Sequence, residues 1–208
     1  MKIRIKGFRR LLIESALIVF SVLFALFINR YAENQKTERQ KEVALERIVE
    51  EMKDNRRILD SVVQIHRTAL GNLQKASANE RDSFRVHLAK QGYFDPDAFG
   101  LLFNNSSFLP EIPKSTSWNA AATIGIISEF DYDIVTAANE AYTVQRFLTE
   151  EMITPIIEIF YAPVDDEIKT INILSVQIRE LISTEQSTIT EINQALKIIY
   201  PDTEEEDQ

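Results

Sequence analysis

Two histidines and several neighbouring acids are the side chains whose types could do chemistry. His66 and His87 fall on separate predicted helices, and neither a cysteine nor an HExxH spacing accompanies them, so the sequence predicts no metal site. The acids at Glu150–Glu151 and Asp165–Glu167 occur at expected helix starts and solvent faces, where carboxylates need no catalytic role. No phosphate-binding glycine loop, nucleophile elbow or dinucleotide fingerprint occurs. The sequence therefore predicts a protein that is not an enzyme and that carries no cofactor.

One further carboxylate, Glu14, lies inside an apolar run. Residues 11–28 would extend about 27 Å as a helix, close to the hydrocarbon thickness of a bilayer, and predict a transmembrane helix. Glu14 either snorkels to the cytoplasmic interface and pairs with an arginine one turn away, or marks a helix partner or a proton path. Ser21 and Ala25 are four residues apart and offer small side chains for close helix approach. Glu14, Ser21 and Ala25 are therefore candidate membrane-assembly residues.

The charges beside the apolar run indicate its orientation. Residues 1–10 carry five Lys or Arg and no acid, and such a basic flank stays in the cytoplasm. A cleaved signal peptide has the same general form, but no small-x-small cleavage site follows residue 28. We therefore expect a single-pass anchor in a bacterial inner membrane, with the C-terminal domain in the periplasm.

Composition narrows the fold and the partners. The formal net charge of the chain is −9, although residues 1–10 contribute five positive charges and no negative one. The remainder is therefore acidic enough to repel nucleic acid, and we expect no nucleic-acid partner. The chain has no cysteine, which excludes disulfides and thiolate metal sites. Only five Gly and six Pro occur among 208 residues, and this scarcity favours long helices.

The spacing of apolar residues predicts an all-α protein. Residues 29–44 are mostly polar and read as a helical stalk continuous with the transmembrane helix. Residues 45–200 should form an antiparallel helical bundle, and residues 201–208 an acidic disordered tail. The inward stripe of the first long helix consists of Leu45, Ile48, Met52, Asn55, Leu59, Val62 and His66.

Further local signals place the other helices. A helix over residues 79–91 should end at Gly92, Asp95 and Pro96 suit the N-cap and first position of a short helix, and Pro155 should bend a later one. Helical spacing gives that later helix an inward set of Ile134, Ala137 or Ala138, Tyr142 and Phe147. The stripe of the final long helix consists of Ile168, Ile171, Leu174, Ile178, Leu181 and Ile182.

The segment over residues 92–114 has an unusual composition. It holds three prolines, which prevent one long helix, together with nine large apolar residues that must be buried somewhere. In one interpretation this segment and Trp118 form a lid that closes the bundle core. In the other, part of the set stays exposed and docks a partner protein, with Phe99, Phe103, Phe108 and Trp118 as the candidate docking residues.

Two stretches resemble an uncharacterised family of bacterial single-span membrane proteins that is common in Bacteroidetes and has proteobacterial relatives. The first combines a glutamate near the cytoplasmic end of the span with a closing Ile-Asn-x-aromatic and a later Glu, here Glu14, Ile28, Asn29, Tyr31 and Glu33. The second is a region of Trp, small residues, Gly and later Tyr, here Trp118, Ala121, Gly125, Tyr132 and Tyr142. The resemblance implies the single-span topology and no particular chemistry.

These observations favour a non-enzymatic, membrane-anchored helical module. We expect it to be an assembly or accessory subunit, either in a homo-oligomer or with a membrane-protein partner. A periplasmic small-molecule sensor is one alternative, and its ten-residue cytoplasmic flank would require a signalling partner. An ion-coupled stator-like subunit that uses Glu14 is another.

Overall fold

The structure, a computed structural model, describes the backbone of residues 5–200 and the side chains of residues 12–200. The predicted acidic tail, residues 201–208, and the side chains of the basic flank, residues 1–10, lie outside the described part. Residues 5–200 contain helices joined by turns and loops and no β-strand. The predicted all-α class is confirmed.

Helix α1 spans Ile5–Ala78, a single run of 74 residues and about 110 Å. No proline interrupts it, so the apolar segment and the polar residues 29–44 continue without a break into the core. Within the described residues α1 is the one helix long and apolar enough to cross a membrane, and none of its apolar window is buried. Such a length and composition fit a membrane span and also a signal sequence.

Shorter helices follow α1, and local capping residues determine where they begin and end. The predicted helix over 79–91 begins later, at Ser83, because the Asp82 side chain accepts hydrogen bonds from the backbone N–H groups of the first turn. It ends as predicted at Gly92, which adopts a positive φ of 71°. The remaining helices are α2 Ser83–Gln91, α3 Pro96–Phe103, α4 Thr116–Thr123, α5 Tyr132–Phe147, α6 Ile153–Tyr161 and α7 Glu167–Ile199.

The bend at Pro155 stays a prediction, although the helix is interrupted just before this residue, and the inward position predicted for Phe147 is wrong. A π-helical turn, Leu148–Met152, separates α5 from α6, in keeping with the N–H that Pro155 lacks. Phe147 is 49% exposed, because it lies five residues, or roughly 140°, around the helix from the buried Tyr142. Gln145 takes the inward position instead.

The predicted stripes of the two longest helices are largely confirmed. Every member of the α1 stripe is buried except Leu45, and every member of the α7 stripe except Ile168, and these two are half-buried. Between the helices, Arg56 donates to Asn193 at 3.3 Å and Ser77 donates to Asn172 at 3.2 Å. Residue numbers on α7 therefore fall as those on α1 rise. Helix α5 packs on the same α7.

The N-cap of α3 is Asp95, and the strength of this cap depends on whether the Asp95 carboxyl group is ionised. The Asp95 carboxylate accepts from the Ala98 N–H at 2.8 Å and lies 2.8 Å from Nε2 of His87. The Ala98 N–H holds the pKa of Asp95 below its usual value of 3.8, and His87 acts in the same direction. A carboxyl with a lowered pKa contributes stability that is complete above the unfolded value and is lost as pH falls through the folded one.

We therefore predict that Asp95→Asn flattens the acid limb of the stability curve. The wild-type free energy of unfolding should fall below about pH 4 more steeply than that of the variant, because only the carboxylate has a proton to gain. Denaturant unfolding of the full chain in detergent at stepped pH measures both. Asp97→Asn removes an acid from the same turn without touching the Ala98 bond and is the matched control. Parallel acid limbs for wild type and Asp95→Asn would contradict the prediction.

Candidate functional site

The strap, residues 104–115, joins α3 to α4 and crosses the surface of α1 in an irregular conformation. It starts with two residues at positive φ, Asn104 and Asn105, of which the first ends α3. Asparagine tolerates this left-handed region better than most residues, so the turn falls where the sequence has an Asn pair. The sequence-predicted aromatic residues lie on, before and after the strap.

An aromatic cluster centred on Phe160 of α6 holds the start of the strap. The Phe160 ring centroid lies 5.2 Å from that of Phe94, 4.9 Å from Phe99, 6.0 Å from Phe103 and 5.3 Å from Phe108, each in an edge-on arrangement. Such edge-to-face pairs are each worth about 0.5–1.5 kcal/mol beyond the burial of their area. The cluster ties α3 and the strap to α6.

The lid interpretation accounts for where the four docking candidates lie. Phe103 is 1% exposed, so its ring offers no surface to a partner in this structure. Phe99, Phe108 and Trp118 are half-buried and pack against the core. The Trp118 ring stacks on Tyr142 of α5, with centroids 5.5 Å apart. Docking by the half-buried rings stays a prediction.

Glu51 of α1 holds the far end of the strap, where α4 begins. One carboxylate oxygen accepts from the backbone N–H of Ser117 and the other from the Tyr142 hydroxyl, both at 2.8 Å. Burial raises the pKa of Tyr142, and the Glu51 charge raises it further, so the phenol remains a hydrogen-bond donor. One carboxylate thus joins α1, α4 and α5.

One turn further along α1, Asn55 binds the backbone of Lys114. Its amide donates to the Lys114 carbonyl at 2.6 Å, and its side-chain oxygen accepts from the Lys114 N–H at 2.8 Å. Gln145 of α5 donates to the same carbonyl at 3.0 Å and accepts from Asn55 at 3.0 Å. Asn55 and Gln145 are 1% and 4% exposed, and their side chains satisfy both polar groups of the Lys114 backbone.

His66 binds the strap at Phe108. Its Nε2 lies 2.9 Å from the Phe108 carbonyl oxygen, which only accepts, so Nε2 carries a hydrogen. Its Nδ1 lies 2.7 Å from Oε1 of Glu185 on α7. His66 and Glu185 are 0% and 1% exposed, and Oε2 of Glu185 has no hydrogen-bond partner among the described residues. The histidine therefore links the strap to α7 through the core.

Asn72 completes the set near the end of α3. Its amide donates to the Leu102 carbonyl at 2.9 Å and to the Asn104 side chain at 3.3 Å. We call Glu51, Asn55, His66 and Asn72 the clamp. Their partners, in the same order, are Ser117, Lys114, Phe108 and Leu102, so the partner numbers decrease along α1. Asn55, His66 and Asn72 contact the strap itself, Glu51 contacts the first turn of α4, and the strap runs along α1 in the opposite direction.

The candidate membrane residues lie on the other half of α1, away from the strap. Glu14, Ser21 and Ala25 are all exposed in the single chain. The Ser21 hydroxyl donates to the Leu17 carbonyl at 2.8 Å, a bond within its own helix. The structure does not bring these residues together with the aromatic set.

Asp166 and the two histidines have structural partners. Asp166 caps α7 by accepting from the Lys169 N–H at 3.0 Å, while Glu150 and Glu151 lie exposed in the π-helical turn. The two histidines lie in separate contacts. The ligand atoms of His87, Asp95 and Asp97 lie within 4.8 Å of one another, but Asp95 already accepts from Ala98. The absence of a metal stays a prediction.

Several members of the site were not predicted from the sequence. Gln145 and Glu185 are polar residues on the mainly apolar inward faces of α5 and α7. Gln145 lies three residues from both Tyr142 and Leu148, and this helical spacing would have predicted that it points inward. The spacing of Ile153, Ile156 and Phe160 likewise marks an inward face of α6. No local signal assigns the partners of Asn72, because its contacts are about thirty residues away in sequence.

Comparison of the chain with protein-family models, curated proteins and solved structures finds no match. The resemblance carried by Glu14, Trp118 and the residues around them therefore stays a prediction. The function has to be argued from the geometry of the clamp, the strap and α1.

We predict that Phe103→Ala destabilises the protein by about 3–5 kcal/mol, because it empties the space of a fully buried ring. Tyr161→Ala is the matched control: the 88% exposed Tyr161 directly follows Phe160, so its truncation should change stability little. Thermal and denaturant unfolding of the full chain in detergent measure both. If Phe103→Ala barely changes melting but releases a copurifying protein, Phe103 belongs to a docking surface and the lid interpretation is wrong.

We also predict that Asn55→Leu loosens the strap. The substitution leaves the Lys114 N–H and the Gln145 oxygen without partners, at roughly 1–3 kcal/mol for each buried group. Hydrogen exchange at the Lys114 amide should accelerate, and the free energy of unfolding should fall. Asn119→Ala, which removes an exposed bond to the Ser115 hydroxyl, is the control. Unchanged protection at Lys114 would show that the clamp does not hold the strap.

Proposed function

We propose that the protein is a non-enzymatic, membrane-anchored helical module that serves as an assembly or accessory subunit of a membrane complex or homo-oligomer. In this proposal residues 11–28 cross a bacterial inner membrane, residues 1–10 remain in the cytoplasm, and the stalk over residues 29–44 carries residues 45–200 in the periplasm. The uninterrupted course of α1 is the observation that carries it.

That course matters because α1 is both the anchor and the largest element of the core. Its apolar window is wholly exposed in the single chain, so a membrane or other chains must cover it. Its other half is clamped to the strap and to α7. One uninterrupted helix therefore connects the proposed anchor directly to the domain.

We propose an antiparallel bundle for residues 45–200. Support comes from the contacts between α1 and α7, in which Arg56 meets Asn193, His66 meets Glu185 and Ser77 meets Asn172. Partner numbers fall steadily along α7, as they do in helices that run in opposite directions. The buried stripes of the two helices lie along the same seam.

The absence of enzyme activity is proposed from how the polar groups are used. His66 and Glu185 are the pair best suited to proton transfer, and at 0% and 1% exposure no substrate reaches them. Asn55 and Gln145 are occupied by the Lys114 backbone. These groups hold the strap, and such use favours a structural role over catalysis.

A periplasmic small-molecule sensor is the second candidate. A groove of about 480 Å³ between α1 and α4, lined by Val43, Ala44, Ala120, Ala121 and other side chains, is the observation that favours it. A ligand seated there would contact α1 directly. The stator-like alternative depends on Glu14, and a cation flux that tracks the protein and vanishes in Glu14→Gln would support it.

Two experiments test the orientation of the chain in the membrane and its assembly with partners. A reporter that is active only in the periplasm should be active when fused after Gln208 and inactive when fused before Met1, which is the matched control. In mild detergent, the protein mass of the particle, with bound detergent subtracted, should exceed the monomer mass of 23.9 kDa because the chain is assembled with itself or with another protein. An inactive first fusion together with an active second one, or a mature chain starting near residue 30, would contradict the placement. A monomer without a copurifying protein would contradict the assembly role.

A further inference from the structure

We propose that His66 and Glu185 form a proton-dependent latch that holds the strap and α7 to α1 and loosens as the pH rises above neutral. The latch consists of this buried pair together with the backbone carbonyl of Phe108. Two contacts and the burial of the groups that make them are the observations that carry it. The latch depends neither on the proposed membrane placement nor on the proposed assembly role.

The two contacts of the His66 ring require two hydrogens. Nε2 lies 2.9 Å from the Phe108 carbonyl oxygen and Nδ1 lies 2.7 Å from Oε1 of Glu185, and each is a hydrogen bond only if a hydrogen lies in it. A neutral imidazole carries one ring hydrogen, and Nε2 needs it because a carbonyl oxygen cannot donate. The second hydrogen is therefore a proton held between Nδ1 and Oε1, whichever of the two atoms carries it.

Removing this proton leaves one hydrogen for two contacts. With the hydrogen on Nε2, the Nδ1 lone pair faces an ionised carboxylate at 2.7 Å. With the hydrogen on Nδ1, the Nε2 lone pair faces the Phe108 carbonyl oxygen at 2.9 Å. Either arrangement sets two acceptors against each other. The deprotonated pair would also carry a negative charge at 0% and 1% exposure, where an unpaired charge is costly.

A second proton is no better accommodated. Because Nδ1 would then donate to Oε1, the acidic hydrogen of Glu185 would lie on Oε2, and this oxygen has no hydrogen-bond partner among the described residues. The pair would also carry an unpaired positive charge in the core. The folded pair therefore holds one proton.

The groups around the latch do not supply a compensating charge. Among residues 12–200 the other buried titratable side chain is Tyr142, whose partner Glu51 lies fifteen residues from His66, or roughly 22 Å along α1. The nearby Thr188 hydroxyl donates to Thr184 within α7. The charged side chains on the surrounding elements are exposed, apart from the half-buried Glu191: Asp60 and Arg67 of α1, Asp97 of α3, Glu111 and Lys114 of the strap, Arg146 of α5, Glu150 and Glu151 of the π-helical turn, Glu158 of α6, and Arg179, Glu180 and Glu191 of α7.

Opening of the latch exposes both groups to water, and the number of bound protons then depends on pH. A solvated carboxyl group loses its proton near about pH 4.3 and a solvated imidazole near about pH 6.5. Between these values the open pair also holds one proton, so pH leaves the opening equilibrium unchanged. Above about pH 6.5 opening releases the proton, and the opening constant rises about tenfold per pH unit. The stabilisation is therefore complete below that pH and is lost as the pH rises.

Loss of the proton acts on the strap and α7 at the same place. The ring centroids of His66 and Phe108 are 4.8 Å apart, and the Phe108 ring packs in turn on Phe160 of the aromatic cluster. The latch thus joins α1 to α7 through Glu185 and to the strap through Phe108. Alkaline pH weakens both attachments together and favours release of the Phe108 ring.

Glu185→Gln tests the latch because it supplies a hydrogen that does not titrate. Its amide N–H can donate to Nδ1 of the neutral ring, so both contacts of His66 are kept without a bound proton. Wild type and variant then differ by one proton when folded and by none when unfolded above about pH 5. The ratio of the wild-type to the variant unfolding constant should therefore rise about tenfold per pH unit from about pH 5 to 8. Denaturant unfolding of the full chain in detergent at stepped pH measures this ratio.

The same ratio on a His87→Gln background is the matched control. His87 is the other histidine of the chain and lies in a separate contact with Asp95, so its removal should leave the slope unchanged. A ratio that does not depend on pH, or a slope that disappears with His87, would overturn the latch. If Glu185→Gln does not fold, the His66 ring resonances of the His87→Gln chain give the answer. They should stay constant from about pH 5.5 to 8, and a titration of the folded chain in that range would equally overturn the latch.

Discussion

The strap has an irregular backbone, so its amide and carbonyl groups cannot pair with one another as those of a helix do. The rest of the domain depends on how this requirement is met. Side chains of α1 supply the partners: Asn55 bonds both polar groups of Lys114, and His66 bonds the carbonyl of Phe108. The strap in turn carries Phe108 into the aromatic cluster and leads to Trp118, so the positions of these rings depend on the clamp.

The clamp explains why polar residues occupy the inward stripe of α1. Buried polar groups are costly when they lack partners, yet they add specificity when a network satisfies them. Asn55 and His66 are both satisfied, because each bonds a backbone group of the strap. Asn55 also bonds Gln145 of α5, and His66 also contacts Glu185 of α7. A stripe of leucines would pack against α7 but would leave the strap unsatisfied. The polar positions therefore specify one register between α1 and the strap.

The sequence predicted what local spacing and local capping determine. Gly92, Asp95 and the stripes of α1 and α7 were placed correctly because each depends on neighbours within one or two turns. Asn55 and His66 were placed inward by the same spacing, but their partners lie 59 and 119 residues away, and nothing local names them. Phe147 was misplaced because apolar character was favoured over phase, although its phase pointed outward and the polar Gln145 pointed inward.

Glu51 connects the clamp to the groove. Its carboxylate binds the Ser117 N–H in the first turn of α4, two turns of α1 beyond Val43, and it also binds Tyr142 of α5. The same carboxylate therefore ties the first turn of α4 to α1 close to the groove. Helix α4 is thus linked through Glu51 to the Tyr142 hydroxyl, and the Tyr142 ring stacks on Trp118. Because α1 forms one of the walls, any occupant of the groove contacts the helix that carries both the apolar segment and a buried stripe of the core.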